Sequence, residues 1–349
     1  MQPYTLIAGP CSAESFQQLS NTIQKIVAEG IKLQYFRAGI WKPRTRPGTF
    51  EGIGEKALEW MSSLQKEYHI RFITEVASPE HVEKCLQYGI NTFWIGARTA
   101  VSPFAVQEIS ESLTDEVNMI YLKNPVSPDL SLWIGGLERL MQAVGERKVG
   151  AVHRGFSLGD NKGYRNAPKW EIPIELKSCF PDVPLLVDPS HICGNTNNIP
   201  KIAQKAIDLG FDGLMLEVHI NPREALSDKE QQLTPEELHN LIRKIEKKSS
   251  RKLSDIELYR NMIDEIDEEL IRLIKKRLDI VEKIGEVKMQ HNLSAFQIER
   301  WKEIISTRTS LAEHLALENH VVREFLQFIH KHSIHVQSKV FDNKLKNSE

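Results

Sequence analysis

Short apolar runs alternate with amphipathic stretches through the first two-thirds of the chain. The runs cover 5–8, 33–36, 71–75, 92–95, 119–122, 151–153, 185–187 and 213–216. Runs of this kind fit strands covered on both faces. Between them, 16–28, 53–68 and 200–209 repeat apolar residues at helical spacing. Eight strand–helix units in roughly 245 residues predict an α/β fold, a (β/α)8 TIM barrel. A doubly wound open sheet is the runner-up, but no GxGxxG follows the first run.

The pattern changes after 246–254, a polar, basic, serine-rich stretch that reads as a linker. From 255 to 290 there is no proline and one glycine, Gly285. Apolar residues fall at Ile256, Tyr259, Ile263, Ile266, Leu270, Leu273, Val281 and Ile284, which makes one stripe on a long helix. Two more helices are predicted at 297–310 and 319–339. The expected division is a barrel at 1–245, the linker at 246–254, a small all-α domain of three helices at 255–340 and a polar tail at 341–349. A long helix with an apolar stripe needs partners, so this domain is expected to dimerise.

Composition narrows the class. With 41% hydrophobic and 26% charged residues, a large core can form. A net charge of −2 gives no overall pull toward nucleic acid or anionic lipid. No apolar stretch approaches the ~20 residues of a membrane span. Cys11, Cys85, Cys179 and Cys193 form no CxxC pair, which fits a reducing compartment. No basic region followed by an apolar run marks a signal peptide. The expectation is a cytoplasmic enzyme of small molecules, without nucleic-acid or membrane partners.

The residues that follow the runs carry the chemistry. Asp188-Pro189-Ser190-His191 ends the seventh run, because proline cannot continue a central ladder. Catalytic groups of a barrel sit at such carboxyl ends. Arg37, Lys42, Arg44, Arg98, Lys123 and Arg154 are expected to crowd one rim. Six close cations are costly without anions. They predict substrates carrying phosphates and carboxylates. Cys11, His191, Glu217 and Asp228 offer a sulfur, a nitrogen and two oxygens, best explained together by a divalent metal ion. The donor set suits Mn, Fe, Co or Zn and does not select one. Glu75 is a candidate for proton transfer or water orientation and His219 a weaker one, while Cys193 reads as packing.

The motifs GPCSAES, FRAGIWKPRTRPGTFEG, FITEV, IGAR, LKN, HRG, DPSH and LEVHINPREALSD resemble the 3-deoxy-D-arabino-heptulosonate 7-phosphate (DAHP) synthase family. The resemblance is to the subgroup close to 3-deoxy-octulosonate 8-phosphate synthases, and it spans nearly the whole first 230 residues. It implies that Cys11, His191, Glu217 and Asp228 hold the metal. It also implies that Arg37, Arg98, Lys123 and Arg154 bind phosphoenolpyruvate, and that Lys42, Pro43, Arg44 and Thr45 bind erythrose 4-phosphate. Lys42 and Glu75 are the catalytic candidates. KPRT favours the four-carbon aldehyde, since the octulosonate enzymes resemble KANR at this place.

In the helical region, Arg277 and Lys288 interrupt the apolar stripe. Arg260 lies 17 residues before Arg277, about 25 Å along a straight helix. One small ligand cannot touch both, so Arg260 is expected from a second copy. The segment 253–337 resembles an all-helical chorismate mutase, with Arg260, Asp267, Arg277, Lys288, Arg300, Ser333 and Gln337 at the family's spacings. The resemblance implies that Arg260, Arg277, Lys288, Arg300, Ser333 and Gln337 bind chorismate. Lys288 and Gln337 would act on the ether oxygen. Gln297 and Trp301 stand where that family often carries acids. The expected whole is a bifunctional shikimate-pathway enzyme. The alternative makes the helical domain a chorismate or prephenate sensor and dimerisation module with little turnover. An octulosonate-phosphate synthase with an unrelated helical tail is a third reading.

Overall fold

The computed structural model describes residues 4–42, 50–158, 163–245 and 254–346. Within them the chain divides into two compact units, 1–249 and 250–349. The first is a closed barrel of eight parallel strands in sequence order. They are β1 (Thr5–Gly9), β2 (Tyr35–Arg37), β3 (Phe72–Val76), β4 (Thr92–Ile95), β5 (Met119–Lys123), β6 (Val149–His153), β7 (Leu185–Val187) and β8 (Gly213–Glu217). β8 closes on β1 with Thr5 opposite Gly213 and Gly9 opposite Glu217. Every expected run became a strand, displaced by a residue or two at its ends.

Helices α1 (Phe16–Ala28), α2 (Lys56–Tyr68), α3 (Pro79–Gln87), α4 (Pro103–Glu111), α5 (Leu130–Val144), α6 (Glu171–Cys179), α7 (Pro189–Cys193), α8 (Ile199–Asp208) and α9 (Pro235–Lys244) alternate with or follow the strands. Side-chain caps start many of them: Ser15, Ser78, Ser102, Asp129, Asp188 and Thr234 each accept an N–H of the first turn. The helices bury their apolar faces on the outside of the barrel in one large core. A separate core fills the inside, built from Ile7, Tyr35, Ile73, Trp94, Met119, Tyr121, Val152, Leu186 and Met215.

Side chains alternate along a strand, so the residue two places beyond an inward one also points inward. Two places beyond Tyr35, Ile73, Tyr121, Val152, Leu186 and Met215 stand Arg37, Glu75, Lys123, Arg154, Asp188 and Glu217. The inner core thus ends in a layer of charge at the carboxyl mouth of the barrel.

The second unit has three helices: α10 (Ser254–Gln290), α11 (Ile298–His314) and α12 (Asn319–Lys346). The last runs into the stretch expected as a polar tail. The stretch expected as a linker lies outside the described residues up to 253, and Ser254 begins α10. Exposed pairs four residues apart support α10, namely Arg272 with Glu268 and Lys275 with Asp279. At Gly285 α12 comes close: a Cβ there would lie 3.3 Å from the Cα of Gln337. That approach sets Gln337 against α10. No described helix is long and apolar enough to cross a membrane.

Candidate active sites

The barrel mouth holds a 440 Å³ cavity lined by Lys42, Glu75, Arg98, Lys123, Arg154 and His191, with Arg165, Asn166 and Asp228 beside them. Pro43, Arg44 and Thr45 lie outside the described residues. Asp188 sits beneath the floor, fully buried at the end of β7. Its Oδ2 accepts from Lys123 Nζ at 2.7 Å and from His191 Nδ1 at 2.8 Å, and its Oδ1 accepts the His191 N–H at 3.0 Å. Arg37 Nη1 stands 3.8 Å away. Burial works against this charge, yet His191, Lys123 and Arg37 hold the carboxyl well below the usual range. A carboxylate only accepts, so His191 carries its proton on Nδ1 and leaves the Nε2 lone pair free to bind.

That lone pair lies 3.8 Å from Glu217 Oε1. Donor atoms of Cys11, Glu217 and Asp228 all lie within 4.8 Å of one another. Three of the expected ligands therefore form one cluster at the mouth, and His191 stands at its edge beside Glu217. The Cys11 thiol donates to Asp228 Oδ2 at 3.1 Å and accepts from Lys42 Nζ at 2.7 Å. Burial, with Glu217 next, pushes this thiol up to about 12. A thiol, a neutral imidazole with an oriented lone pair and two carboxylates fit a divalent ion of the borderline class, which would displace the thiol proton. The His191–Asp188 bond is the outer-layer support such a ligand usually has.

The cations are arranged differently from the expectation. Arg37 does not line the cavity, as a phosphoenolpyruvate ligand would. It is buried under the floor with Nη2 2.9 Å from Glu217 Oε1 and its guanidinium 5.0 Å over the Trp94 ring. Lys123 lines the cavity but is tied to Asp188. The inward layer is thus largely self-neutralised, because alternate strands supply acids beside the cations. Arg98 and Arg154 face the cavity beside Lys42. Burial, with Arg165 and Arg98 adding to it, pushes Arg154 down to about 10, as expected of a cation placed to meet an anion.

Glu75 lines the cavity and accepts from Trp94 Nε1 at 3.1 Å. A Cβ at position 96 would lie 2.1 Å from Glu75 Oε1, so Gly96 makes room for this carboxylate. His219 does not line the cavity. It is buried, with Nδ1 accepting from the Asn221 N–H. Cys193 is packed in the outer core. Sequence reasoning missed Arg165 and Asn166, because they follow no strand directly.

The helical unit has its own cavity of 660 Å³. Arg277, Lys288, Arg300, Ser333 and Gln337 line it. Arg277 Nη1 donates to Ser333 Oγ at 2.6 Å, and Lys288 Nζ to the Ala295 carbonyl at 2.7 Å. Gln337 Oε1 is buried with no hydrogen-bond partner. Arg260 is not among the lining residues and is exposed near the other end of α10. Gln297 and Trp301 also line this cavity, together with His330, which the sequence did not mark. The His330 ring stacks on Trp301 with centroids 4.1 Å apart. Burial, then Arg277 and Lys288, lower the His330 pKa.

Residues 2–254 match the family model described as DAHP synthetase I family. The chain belongs to the DAHP synthetase I family. Residues 259–338 match chorismate mutase type II, so a mutase domain follows the synthase domain. A Thermotoga maritima phospho-2-dehydro-3-deoxyheptonate aldolase is 30% identical over 244 residues, covering 70% of this chain and 69% of that one. A Wolinella succinogenes 2-dehydro-3-deoxyphosphooctonate aldolase is 24% identical over 265 residues, covering 69% of this chain and 97% of the relative. The crystal structure of the Thermotoga maritima DAHP synthase superposes with a TM-score of 0.60 at 28% identity, covering 69% of this chain and 68% of that chain. The two domains make this chain a bifunctional shikimate-pathway enzyme.

Asp188→Asn removes the charge that Lys123, His191 and Arg37 share. Leaving buried cations without their partner costs about 3–5 kcal/mol. Urea unfolding of the metal-free protein is expected to show this loss; a midpoint equal to wild type contradicts it.

Proposed function

We propose that the barrel joins phosphoenolpyruvate to erythrose 4-phosphate with one divalent ion held by Cys11, His191, Glu217 and Asp228. Manganese is the first choice of ion, with cobalt, iron or zinc as alternatives. The observation that carries this reading is the shared mouth, where the donor cluster opens into the same cavity as Arg98, Lys123 and Arg154. The seven-carbon product is favoured by KPRT and by the heptonate name of the Thermotoga maritima relative.

Arg98 and Arg154, with Lys123, hold the phosphate and carboxylate of phosphoenolpyruvate. Lys42 and the KPRT stretch hold the aldehyde phosphate. A bound ion would supply Lewis-acid polarisation of the aldehyde oxygen. Carbon 3 of the enol ester attacks the aldehyde carbon while water adds at carbon 2. The carbon–oxygen bond to phosphate then breaks, leaving the keto acid and inorganic phosphate. Glu75, fixed by Trp94, orients that water or takes its proton. Closing the two substrates together in one cavity provides the positioning.

The mutase domain rearranges chorismate to prephenate without a nucleophile. Arg277 and Arg300 meet its carboxylates, and Lys288 and Gln337 the ether oxygen as its bond breaks. Arg260 reaches the site from a second copy. Tyr259, Ile263, Ile266, Leu270 and Leu273 repeat at alternating steps of four and three, with Tyr259 63% and Ile266 57% exposed. A stripe of that period seats on another helix, and we read the pair as a homodimer through α10. Unpaired cysteines support a reducing, cytoplasmic location.

Three outcomes test these readings. Chelation should abolish condensation, and added Mn²⁺ should restore it with erythrose 4-phosphate and not with a five-carbon sugar phosphate, followed by phosphate release. Activity that survives complete metal removal contradicts the metal role. Arg277→Ala should lower chorismate turnover about 100-fold or more, read by the loss of chorismate absorbance; wild type without turnover would favour the sensor reading. Leu270→Asp should turn a dimer into monomers in sedimentation and take mutase activity with it, while a monomeric, active wild type removes the need for a second copy.

A further inference from the structure

Arg165 and Gln231 stand next to the donor cluster and have no role in the reaction described above. Arg165 Nη1 donates to Asp228 Oδ1 at 2.7 Å and to Gln231 Oε1 at 2.6 Å. Gln231 Nε2 donates in turn to Glu217 Oε2 at 2.6 Å. The outer oxygens of both carboxylates are thereby occupied. Of the opposite oxygens, Asp228 Oδ2 meets Cys11 Sγ at 3.1 Å, and Glu217 Oε1, which also accepts from Arg37 Nη2 at 2.9 Å, lies 3.8 Å from His191 Nε2.

The order of the chain of bonds is forced. A guanidinium only donates, so it fixes which end of the Gln231 amide is the oxygen. The amide nitrogen is then turned to Glu217, which only accepts. Reversing the amide would set donor on donor at one end and acceptor on acceptor at the other. Gln231 is buried, so it has no water to turn toward. Arg165 is seated by Gly194, where a Cβ would lie 2.5 Å from the Arg165 Cβ. A half-exposed ion pair adds little to folding. This one does something else, because it reaches two donors of one cluster at once.

We propose that Arg165 and Gln231 form a positioning clamp that sets the carboxylates of Asp228 and Glu217 before an ion binds. The clamp rests on the reading of the four-residue cluster as a metal site. With it Glu217 is held at both oxygens, by Arg37 at Oε1 and by Gln231 at Oε2, and Asp228 is held at Oδ1 by Arg165. Neither residue is a ligand; both act through ligands.

The test is binding of Mn²⁺ to the full chain by calorimetry, with Co²⁺ absorption as a report on thiolate coordination. Arg165→Met and Gln231→Leu should each weaken Mn²⁺ about 10–100-fold and change the Co²⁺ spectrum. Arg165→Lys, which keeps the charge, should recover part of the affinity. The double variant should lose less than the product of the single losses, since the two residues act as a unit. Thermal melts of the metal-free variants check folding; if Arg165→Met does not fold, Gln231→Leu and Arg165→Lys decide. Wild-type affinity and spectrum in both Arg165→Met and Gln231→Leu overturn the clamp alone. A wild-type chain that binds no divalent ion overturns the metal reading and the clamp with it.

Discussion

One buried carboxylate organises the barrel mouth. Asp188, itself fully buried, accepts from Lys123 and His191 and lies near the buried Arg37. An isolated charge at that depth is not tolerated. Three neighbours make it tolerable, and in return it fixes each of them. Lys123 is held at the cavity floor, Arg37 is held where it can grip Glu217, and His191 is held in one tautomer with its other nitrogen toward the donor cluster. Asp188 also caps the short α7, so the same side chain ends β7, starts the next helix and places the imidazole on its first turn.

This arrangement separates two classes of cation. Those on inward strand positions, Arg37 on β2 and Lys123 on β5, are committed to acids two strands away around the barrel, Glu217 of β8 and Asp188 at the end of β7. Those nearer the cavity, Lys42, Arg98 and Arg154, line the space where an anion fits. A rim of six unpaired cations would repel itself. The barrel avoids this by setting three acids, Glu75, Asp188 and Glu217, among the bases of the layer above its apolar interior. The cations without an acid of that layer as partner, Lys42, Arg98 and Arg154, line the cavity, and Arg98 is exposed there.

The helical unit shows a different economy. Its cavity is formed inside one copy by α10, α11 and α12, and Gly285 lets Gln337 approach Arg277 and Lys288. Its apolar stripe is nonetheless exposed along the N-terminal half of α10. An apolar stripe of that length is costly to leave in water, and it gives way at Arg277, which turns to Ser333 of α12 within the cavity. The same helix thus provides a site wall at one end and an exposed apolar stripe at the other.

The order of elements was legible from the chain alone. Strand positions follow from short apolar runs, since a strand covered on both faces is mostly apolar up to its carboxyl end, and the long α10 follows from a proline-free heptad stripe. The donor set Cys11, His191, Glu217 and Asp228 could also be named, because barrel chemistry collects at strand ends. What the chain could not reveal is direction and partnership. Arg37 looks like any strand-end arginine, and only the closed sheet turns it inward onto Glu217. Arg165 and Gln231 sit in connecting segments far apart in sequence, and folding brings them together across the mouth. His330 stands on an ordinary helix until Trp301 is laid against it. Period and composition act over a few residues and are written locally. Which acid neutralises which base depends on side chains that meet across the mouth from strands that are not neighbours, and that is decided only when the barrel closes.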